Sequence, residues 1–419
     1  MGPDCQDLRE TAKSLFAAAI EAADPAPALR KHLTQAPLPR LAGGRYIVIA
    51  VGKAACTMMA EALDHIPTGT PVVALAVPNY ENARAIDNCT VIPAGHPVPD
   101  ENGARAGQAV INLLETATFS DRVIALISGG GSALLPAPVP GVSLADKAEV
   151  SRILLAAGFD ITQMNMVRQQ LSRLKGGGFS RLAAPASVHA FILSDVVGDD
   201  LRVIASGPTV APIGTLAETL NLLASHDILR ILPRSVQTYL ARSDSAPRAP
   251  NPSVTNKLIC SNRQSLLAAQ AAATGPAQIM EPPLTGDVAE AADCVLAVAR
   301  FSGAPCTLIF GGETTVTLKG TGAGGRNQEL ALRFALGSTD LDGDWVFLSG
   351  GTDGRDGPTD AAGGLVDPRS IARMKAAGVD PQALLGDNDS HAALKASGDL
   401  LITGATGTNV ADVQIFLRR

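Results

Sequence analysis

The sequence predicts an α/β fold in two lobes: a larger N-terminal lobe with a mostly parallel sheet and a smaller α/β C-terminal lobe. Short β-branched runs alternate with longer segments rich in alanine and leucine, which is typical of βαβ units. Residues 243–253 interrupt this alternation with three prolines and three serines, and they predict a linker. We therefore expect domains over residues 1–242 and 254–419, with the active site in the cleft that joins two such lobes.

Each element follows from its local pattern. In the first lobe, near-continuous apolar runs predict strands that are buried on both faces. These strands are expected at 46–51, 72–77, 123–127 and 188–193, with helices at 53–65, 103–116 and 145–157. In the second lobe we expect strands at 257–260, 307–310 and 345–348, and helices at 264–273, 288–301 and 327–336. A last apolar run, 400–403, is expected to lead into a short C-terminal segment.

Composition excludes several classes of protein. Of the 419 residues, 46% are hydrophobic and 18% are charged, which is sufficient for a folded core. The net charge of −6 and the lack of a basic run argue against binding of nucleic acid. No run of 18 apolar residues predicts a membrane span, and charged residues near the N-terminus leave no room for a signal peptide. We expect a cytoplasmic protein whose six cysteines, without a CxxC pair, are buried reduced thiols.

Polar, glycine-rich loops follow five of the predicted strands. Because open α/β sheets bind ligands at the carboxyl ends of their strands, these loops mark the candidate site. They cover residues 52–55, 128–134, 194–200, 311–314 and 349–354. In the second of them, consecutive glycines between Ser128 and Ser132 let backbone N–H groups line an anion, although a plain tight turn is the alternative.

Charged residues in these loops suggest phosphate chemistry. Lys53 opens a helix, where its charge makes sense beside an anion, whereas a solvated surface lysine is the alternative. Asp195 follows a strand and suits Mg²⁺ or a helix cap. Arg326, in the first turn of a helix that follows a glycine-rich run, offers a planar fork for phosphate or carboxylate. His96 is interpreted as structural or substrate-orienting, and the polar loop 403–409 could donate to substrate oxygens.

Several motifs are missing. No Walker A sequence, no G-x-G-x-x-G dinucleotide fingerprint and no G-x-S-x-G elbow follows a predicted strand. A calcium loop is also excluded, because the acidic run at 353–360 lacks the spacing and the final glutamate of an EF-hand. Nucleotide-dependent reduction and triad hydrolysis are therefore poorly supported, whereas glycine loops with isolated Lys, Arg and Asp residues fit phosphoryl transfer.

Seven short strings resemble one known family. They are Gly-Lys-Ala at 52–54, SGGGSAL at 128–134, LSRLKGGG at 171–178, LSDVVGDD at 193–200, SGPT at 206–209, GGRNQE at 324–329 and GTDG at 351–354. In this order they resemble the glycerate 2-kinase family with a MOFRL-type C-terminal domain. The resemblance implies a Rossmann-like N-terminal lobe and phosphorylation of D-glycerate at its 2-hydroxyl by ATP with Mg²⁺. Members are also named hydroxypyruvate reductases, but the missing dinucleotide fingerprint favours the kinase.

The resemblance also implies the site residues. Lys53, Asp195, Arg326 and Asp353 would form its polar core. Lys53 and Arg326 would hold glycerate's carboxylate or the γ-phosphate, and one aspartate would act as base. Asp195 and Asp353 are both candidates for Mg²⁺. The remaining expected substrate- or phosphate-binding residues are Ser128, Gly129, Gly130, Gly131, Ser132, Lys175, Glu313, Asn327, Thr352 and Asn409.

Two other functions stay open from the sequence. An NAD(P)H-dependent hydroxypyruvate reductase would oxidise cofactor, and a non-enzymatic binder of small organic acids would close on its ligand without ATP turnover. The expected partners are the small molecules glycerate and ATP, with no nucleic acid and no membrane. The sequence leaves the oligomeric state open, a homo-oligomer included.

Overall fold

The computed structural model describes residues 3–242 and 253–419, so the predicted linker, apart from Ser253, lies outside the described residues. Two compact units are present: Pro25–Ile259, and a unit made of Met1–Asp24 with Cys260–Arg419. This division differs from the predicted domains because helix α1 (Pro3–Ala22) belongs to the C-terminal unit. Phe16 is buried there, and Arg9 forms ion pairs of 2.7 Å with Asp367 and 3.0 Å with Asp399.

The unit Pro25–Ile259 is built on one six-stranded sheet. Its strands are β1 (Tyr46–Val51), β2 (Val72–Val77), β3 (Cys89–Val91), β4 (Arg122–Ile127), β5 (Ser187–Leu193) and β6 (Val254–Cys260). Its helices are α2 (Pro25–Gln35), α3 (Ala55–Asp64), α4 (Glu101–Glu115), α5 (Gly131–Leu134), α6 (Leu144–Ala156), α7 (Ile161–Gln170), α8 (Gly178–Ala183), α9 (Leu216–Ser225) and α10 (Arg234–Leu240). Short 3₁₀ turns cover Tyr80–Asn82 and Ile204–Ser206.

The strand order in this sheet is β3-β2-β1-β4-β5-β6, and β3–β2, β2–β1, β1–β4 and β4–β5 pair in parallel. This is the doubly wound order, so the predicted Rossmann-like sheet is confirmed. All six residues of β1 are buried, which explains its continuous apolar sequence. Helices α6, α7, α9 and α10 form a second hydrophobic cluster in the same unit, around side chains such as Leu154 and Val167.

The second unit combines another sheet with helices. Its strands are β7 (Ala277–Ile279), β8 (Leu284–Asp287), β9 (Cys306–Thr315), β10 (Trp345–Gly351), β11 (Gly363–Val366), β12 (Leu400–Leu401) and β13 (Asp412–Arg418). Its helices after α1 are α11 (Asn262–Ala272), α12 (Val288–Phe301), α13 (Arg326–Gly337), α14 (Ser370–Ala376), α15 (Pro381–Gly386) and α16 (Ser390–Ser397). The core includes Phe334, which stacks on Phe347 with ring centroids 4.3 Å apart and meets Trp345 edge-on.

This second sheet corrects the sequence analysis in three respects. Its order is β12-β11-β10-β13-β9-β7, and β8 also pairs with β9. The pairs β12–β11, β11–β10, β10–β13 and β13–β9 are antiparallel, so the sheet is not a repeat of βαβ units. The C-terminal segment is a central strand rather than a short tail. Strand β9 continues to Thr315, so Gly311, Gly312 and Glu313 lie within the strand instead of in a loop after it.

The cysteines follow the prediction only in part. All six are free, and Cys5, Cys56 and Cys260 are buried, while Cys89 and Cys306 are half-buried. Cys294 is exposed, because α12 is amphipathic and buries neighbours such as Ala291 and Val295 on its other face.

A bilayer-spanning helix would need a long apolar stretch, and no helix within residues 3–242 and 253–419 has one.

Candidate active site

Three predicted loops meet at the carboxyl ends of β1, β4 and β5. Strand β1 lies between β2 and β4, so chain connections leave it on opposite sides, and this is where open α/β sheets bind ligands. Lys53 follows β1, and its backbone N–H donates to the carbonyl of Gly129 at 2.9 Å. The N–H of Ala54 donates to Oγ of Ser128, which follows β4, at 3.1 Å. The sheet therefore holds the Lys53 loop and the serine–glycine loop side by side.

Asp195, which follows β5, lies against the same loop. A Cβ added at Gly129 would be 2.1 Å from Oδ2 of Asp195, so only a glycine leaves room for this carboxylate. Burial raises the pKa of Asp195, although a hydrogen bond from its own backbone N–H and the charge of Lys53 partly oppose the rise. A carboxylate with a raised pKa is a stronger proton acceptor than one in water, which suits a general base.

The structure adds His96 to this group. Gly130 has a φ of +85°, and a Cβ on it would lie 2.9 Å from Cδ2 of His96 and 3.5 Å from Cγ of Lys53. Burial and the charge of Lys53 lower the pKa of His96, while Glu81 opposes them. The neutral form of the imidazole is therefore favoured. In the sequence, the only signal was a histidine between glycine and proline, without a partner motif.

Ser132 and Lys175 lie at the other end of the serine–glycine loop. Nζ of Lys175 donates to the carbonyl oxygen of Ser132 at 3.0 Å. The Ser132 and Ser206 hydroxyls are hydrogen-bonded, and Ser206 Oγ also donates to Oδ1 of Asn165 at 3.3 Å. Ala205 and Ser206 have φ values of +49° and +59°, a left-handed backbone that non-glycine residues rarely adopt. Strain of this kind is concentrated at functional sites, and here it places the Ser206 hydroxyl on Ser132.

In the second unit, the first residue of β13 lies beside the ends of two other strands. Asp412 pairs in register with Gly312 of β9 and with Gly351 of β10. Arg326 donates to both oxygens of Asp412, from Nε at 2.6 Å and from Nη2 at 3.0 Å, and its Nη1 lies 3.1 Å from Oε1 of Glu313. Burial lowers the pKa of Arg326, but the hydrogen bonds and charge of Asp412, together with the charges of Glu313 and Asp356, outweigh burial and raise it. No sequence pattern pointed to Asp412, because it starts a strand and only the antiparallel pairing of that strand brings it next to Arg326.

Asp353 lies next to this ion pair. A Cβ on Gly351 would be 3.2 Å from Oδ1 of Asp353 and 3.5 Å from Oδ1 of Asp412. Oδ1 of Asp353 accepts a hydrogen bond from the N–H of Arg355 at 3.0 Å. Burial raises the pKa of Asp412, the Arg326 guanidinium opposes the rise, and the charge of Asp353 adds to it. The structure thus groups Arg326, Asp353 and Glu313 in one unit, with Asp412 as their common neighbour.

A buried aspartate, for which no sequence pattern predicted a role, accepts hydrogen bonds from the first turn of α13. Asp356 accepts from the backbone N–H of Asn327 at 3.1 Å and of Gln328 at 2.8 Å, which satisfies two amides of the first turn. Burial raises the pKa of Asp356, and these amide hydrogen bonds lower it. This carboxylate fixes the start of the helix that carries Arg326.

Three predicted ligand-binding side chains make hydrogen bonds within the protein. Oδ1 of Asn327 accepts from Oγ of Ser349 at 2.6 Å. The Thr352 hydroxyl donates to the carbonyl of Ala411 at 2.7 Å, and Oδ1 of Asn409 accepts from the N–H of Ala411 at 3.1 Å. The Thr352 contact joins the loop before β13 to the end of β10, the Asn327 contact joins α13 to β10, and the Asn409 contact lies within the loop. Ligand binding by these three residues stays a prediction.

The two predicted Mg²⁺ ligands each present a single carboxylate. Within the part of the chain that the structure describes, no group of three or more His, Cys, Asp or Glu residues is arranged to hold a metal ion. Mg²⁺ typically takes one or two carboxylates and completes its shell with phosphate oxygens and water. Asp195 and Asp353 have the donor chemistry for that mode of binding.

The fold and these residues define a class of protein. Residues 11–241 match the family model described as a domain of unknown function, DUF4147, and residues 306–412 match the MOFRL family. The chain, which contains both domains, belongs to the glycerate 2-kinase family.

Individual relatives cover nearly the whole chain. D-glycerate 2-kinase of Thermotoga maritima is 38% identical over 99% of both chains. A protein of Agrobacterium vitis that carries the provisional name hydroxypyruvate reductase is 39% identical over 98% of this chain and 94% of its own. A crystal structure of glycerate kinase from Thermotoga maritima superposes with a TM-score of 0.91 at 38% identity, covering 99% of this chain and 100% of that one.

Proposed function

We propose that the chain transfers the γ-phosphoryl group of ATP to the 2-hydroxyl of D-glycerate, giving 2-phosphoglycerate and ADP. The observation that carries the proposal is the group of residues at the carboxyl ends of β1, β4 and β5. There a lysine, a glycine loop and a carboxylate of raised pKa lie together. Phosphoryl transfer has a loose transition state, so the protein mainly supplies positioning and charge neutralisation. The similarity to D-glycerate 2-kinase of Thermotoga maritima supports these substrates.

In this proposal Asp195 is the general base. Its carboxylate accepts the proton of the 2-hydroxyl while the hydroxyl oxygen bonds to the γ-phosphorus. The bond from that phosphorus to the bridging oxygen breaks, and ADP leaves with the electron pair. The raised pKa favours proton acceptance, and contact with Gly129 fixes the carboxylate at the end of β5.

Lys53 and the serine–glycine loop bind negative charge. Lys53 and His96 both lie beside Gly130, and Lys53 neutralises the carboxylate of glycerate or the transferring phosphoryl group. The amides at Gly129–Gly131, which carry no side chains of their own, donate to anionic oxygens in this proposal.

Two residues of the second unit are also proposed to take part in the reaction. Within the described residues, Arg326 makes two hydrogen bonds to Asp412 and an ion pair with Glu313, and its other N–H groups are proposed to donate to a phosphate or carboxylate. Asp353, whose Oδ1 is fixed by the N–H of Arg355, is proposed to hold Mg²⁺. When bound, Mg²⁺ neutralises charge on the nucleotide's phosphate oxygens.

The test is product analysis with the purified chain, ATP, Mg²⁺ and D-glycerate. We expect ADP to form, and enolase added without phosphoglycerate mutase to convert the product directly, because enolase accepts only the 2-phosphate. Asp195→Asn is the matched inactive control, since it keeps the shape of the side chain but cannot accept the proton. Oxidation of NADH by hydroxypyruvate without ADP formation would instead favour the reductase. Glycerate binding without either reaction would favour the organic-acid binder.

A further inference from the structure

Three basic side chains of the unit Pro25–Ile259 lie near one another. Lys147 lies on α6, Arg168 lies on α7, and Lys175 lies in the loop before α8. Burial lowers the pKa of Lys175 well below its ordinary value, and the nearby charges of Lys147 and Arg168 lower it further. No acidic group of the described residues contributes to the pKa of any of the three. The protein therefore brings like charges together here without a compensating carboxylate.

The amino group of Lys147 is the clearest sign that a partner is missing. Its Nζ is buried and makes no hydrogen bond within the described residues. The residue as a whole is half-buried. Burial, with a contribution from Arg168, lowers the pKa of Lys147 to about 8. A buried, unpartnered ammonium is costly, so proteins rarely keep one without a use for its charge.

The other two basic side chains are each held by a hydrogen bond within the protein. Lys175 is buried and its Nζ donates to the carbonyl of Ser132, and within the described residues no other hydrogen bond of this Nζ competes with a ligand. Arg168 donates from Nε to Oγ of Ser151 at 3.2 Å, and that hydroxyl donates to the backbone carbonyl of Lys147 at 3.0 Å. Ser151 thus ties α6 to α7 and orients the guanidinium.

We propose that Lys147, Arg168 and Lys175 form a binding site for a phosphate group. The proposal rests on the proposed kinase function for the source of that phosphate, which is either the nucleotide or the phosphorylated product. Three cations match the charge and the three terminal oxygens of a phosphate better than the single charge of a carboxylate. An anion here supplies the hydrogen-bond partner that Nζ of Lys147 lacks.

The site is continuous with the candidate active site. Lys175 contacts Ser132, and Ser132 ends the same loop whose Gly129 touches Asp195. The strained Ser206 fixes the other side of Ser132 through their hydroxyl pair. A phosphate bound by the three cations therefore lies next to the loop that positions the proposed base.

Isothermal titration calorimetry tests the site without requiring turnover. The ligands are inorganic tripolyphosphate, a non-hydrolysable ATP analogue, 2-phosphoglycerate and D-glycerate, and the variant is Lys147→Met, which keeps an unbranched side chain of similar length. Loss of a charged hydrogen bond predicts that Kd rises about tenfold or more for a phosphate ligand. The matched control is Lys31→Met, which removes an exposed lysine of α2 and should leave every Kd unchanged.

The pattern of losses identifies the source of the phosphate. Weaker binding of tripolyphosphate and of the ATP analogue assigns the site to the nucleotide, whereas weaker binding of 2-phosphoglycerate alone assigns it to the product. Affinities of Lys147→Met within about twofold of wild type for all phosphate ligands would overturn the proposal. If the wild type forms no ADP from glycerate, the kinase function fails, but tripolyphosphate binding still decides whether the cation site exists.

A thermal measurement separates loss of the site from loss of the fold. Without ligand, Lys147→Met should melt at a higher temperature than wild type, because a desolvated charge has been removed. The rise in melting temperature that tripolyphosphate gives the wild type should disappear in the variant. Should Lys147→Met fail to fold, Arg168→Met replaces it, and wild-type phosphate affinity in that variant refutes the site.

Discussion

Replacing Gly129 with alanine would place a methyl group 2.1 Å from Oδ2 of Asp195. Carbon and oxygen do not approach so closely, so the carboxylate has to retreat by about 1 Å to restore even a tight contact. A displacement of about 1 Å in a reacting group can reduce the rate by about 10²-fold. We therefore expect Gly129→Ala to reduce kcat for glycerate phosphorylation by about 10²-fold, with a smaller change in the KM for ATP.

The assay is ADP release at saturating glycerate, ATP and Mg²⁺. Gly43→Ala is the matched control: Gly43 is exposed in the same unit, and a Cβ there would have no atom within 4 Å. A double variant adds a sharper test: when Asp195→Asn has already removed the base, adding Gly129→Ala should lower kcat little further. Wild-type kcat in Gly129→Ala would refute the placement of Asp195. Equal losses in both backgrounds would show that the methyl group acts through something other than Asp195.

Three further predictions concern charge. Lys53→Ala should lower kcat/KM by about 10²-fold, or roughly 3 kcal/mol, with an unchanged melting temperature, and wild-type kinetics would remove Lys53 from the site. Asp195→Asn should depress kcat without altering the Mg²⁺ requirement, whereas Asp353→Asn should raise the Mg²⁺ concentration for half activity; the opposite pattern would exchange their roles. Burial lowers the pKa of Lys147 from 10.5 to about 8, so the folded state releases this proton before the unfolded state does. Denaturant titrations should show that the free energy of unfolding of wild type, relative to that of Lys147→Met, rises between pH 8 and pH 10.5 by at most about 3 kcal/mol. A difference in free energy that does not change with pH would contradict the buried charge.

Local sequence predicted the first sheet well because its strands are buried on both faces. Such strands are continuous apolar runs, and the expected bounds 46–51 and 72–77 agree with β1 and β2. In a parallel sheet, every carboxyl end lies at the same edge. The positions of Lys53, the serine–glycine loop and Asp195 at one edge could therefore be predicted from the order of strands and loops.

The same rule failed in the second unit, because antiparallel pairing alternates the direction of the strands. The amino end of β13 lies beside the carboxyl ends of β9 and β10, which brings Asp412 to Arg326 although 86 positions separate them in the chain. Nor could the sequence assign α1 to the C-terminal unit, because that placement rests on burial of Phe16 and on the ion pairs of Arg9 with distant aspartates.

The sequence by itself thus determined the fold class, the family and the loops that carry Lys53 and Asp195, because each depends on a contiguous pattern. Only the tertiary structure decided which side chains are neighbours across elements: His96 beside Gly130, Asp412 beside Arg326, and Lys147, whose amino group has no hydrogen-bond partner among the described residues, near Lys175. The physical reason is that burial and electrostatic environment depend on all the groups around an atom. Those groups come from distant parts of the chain, and no local pattern contains them.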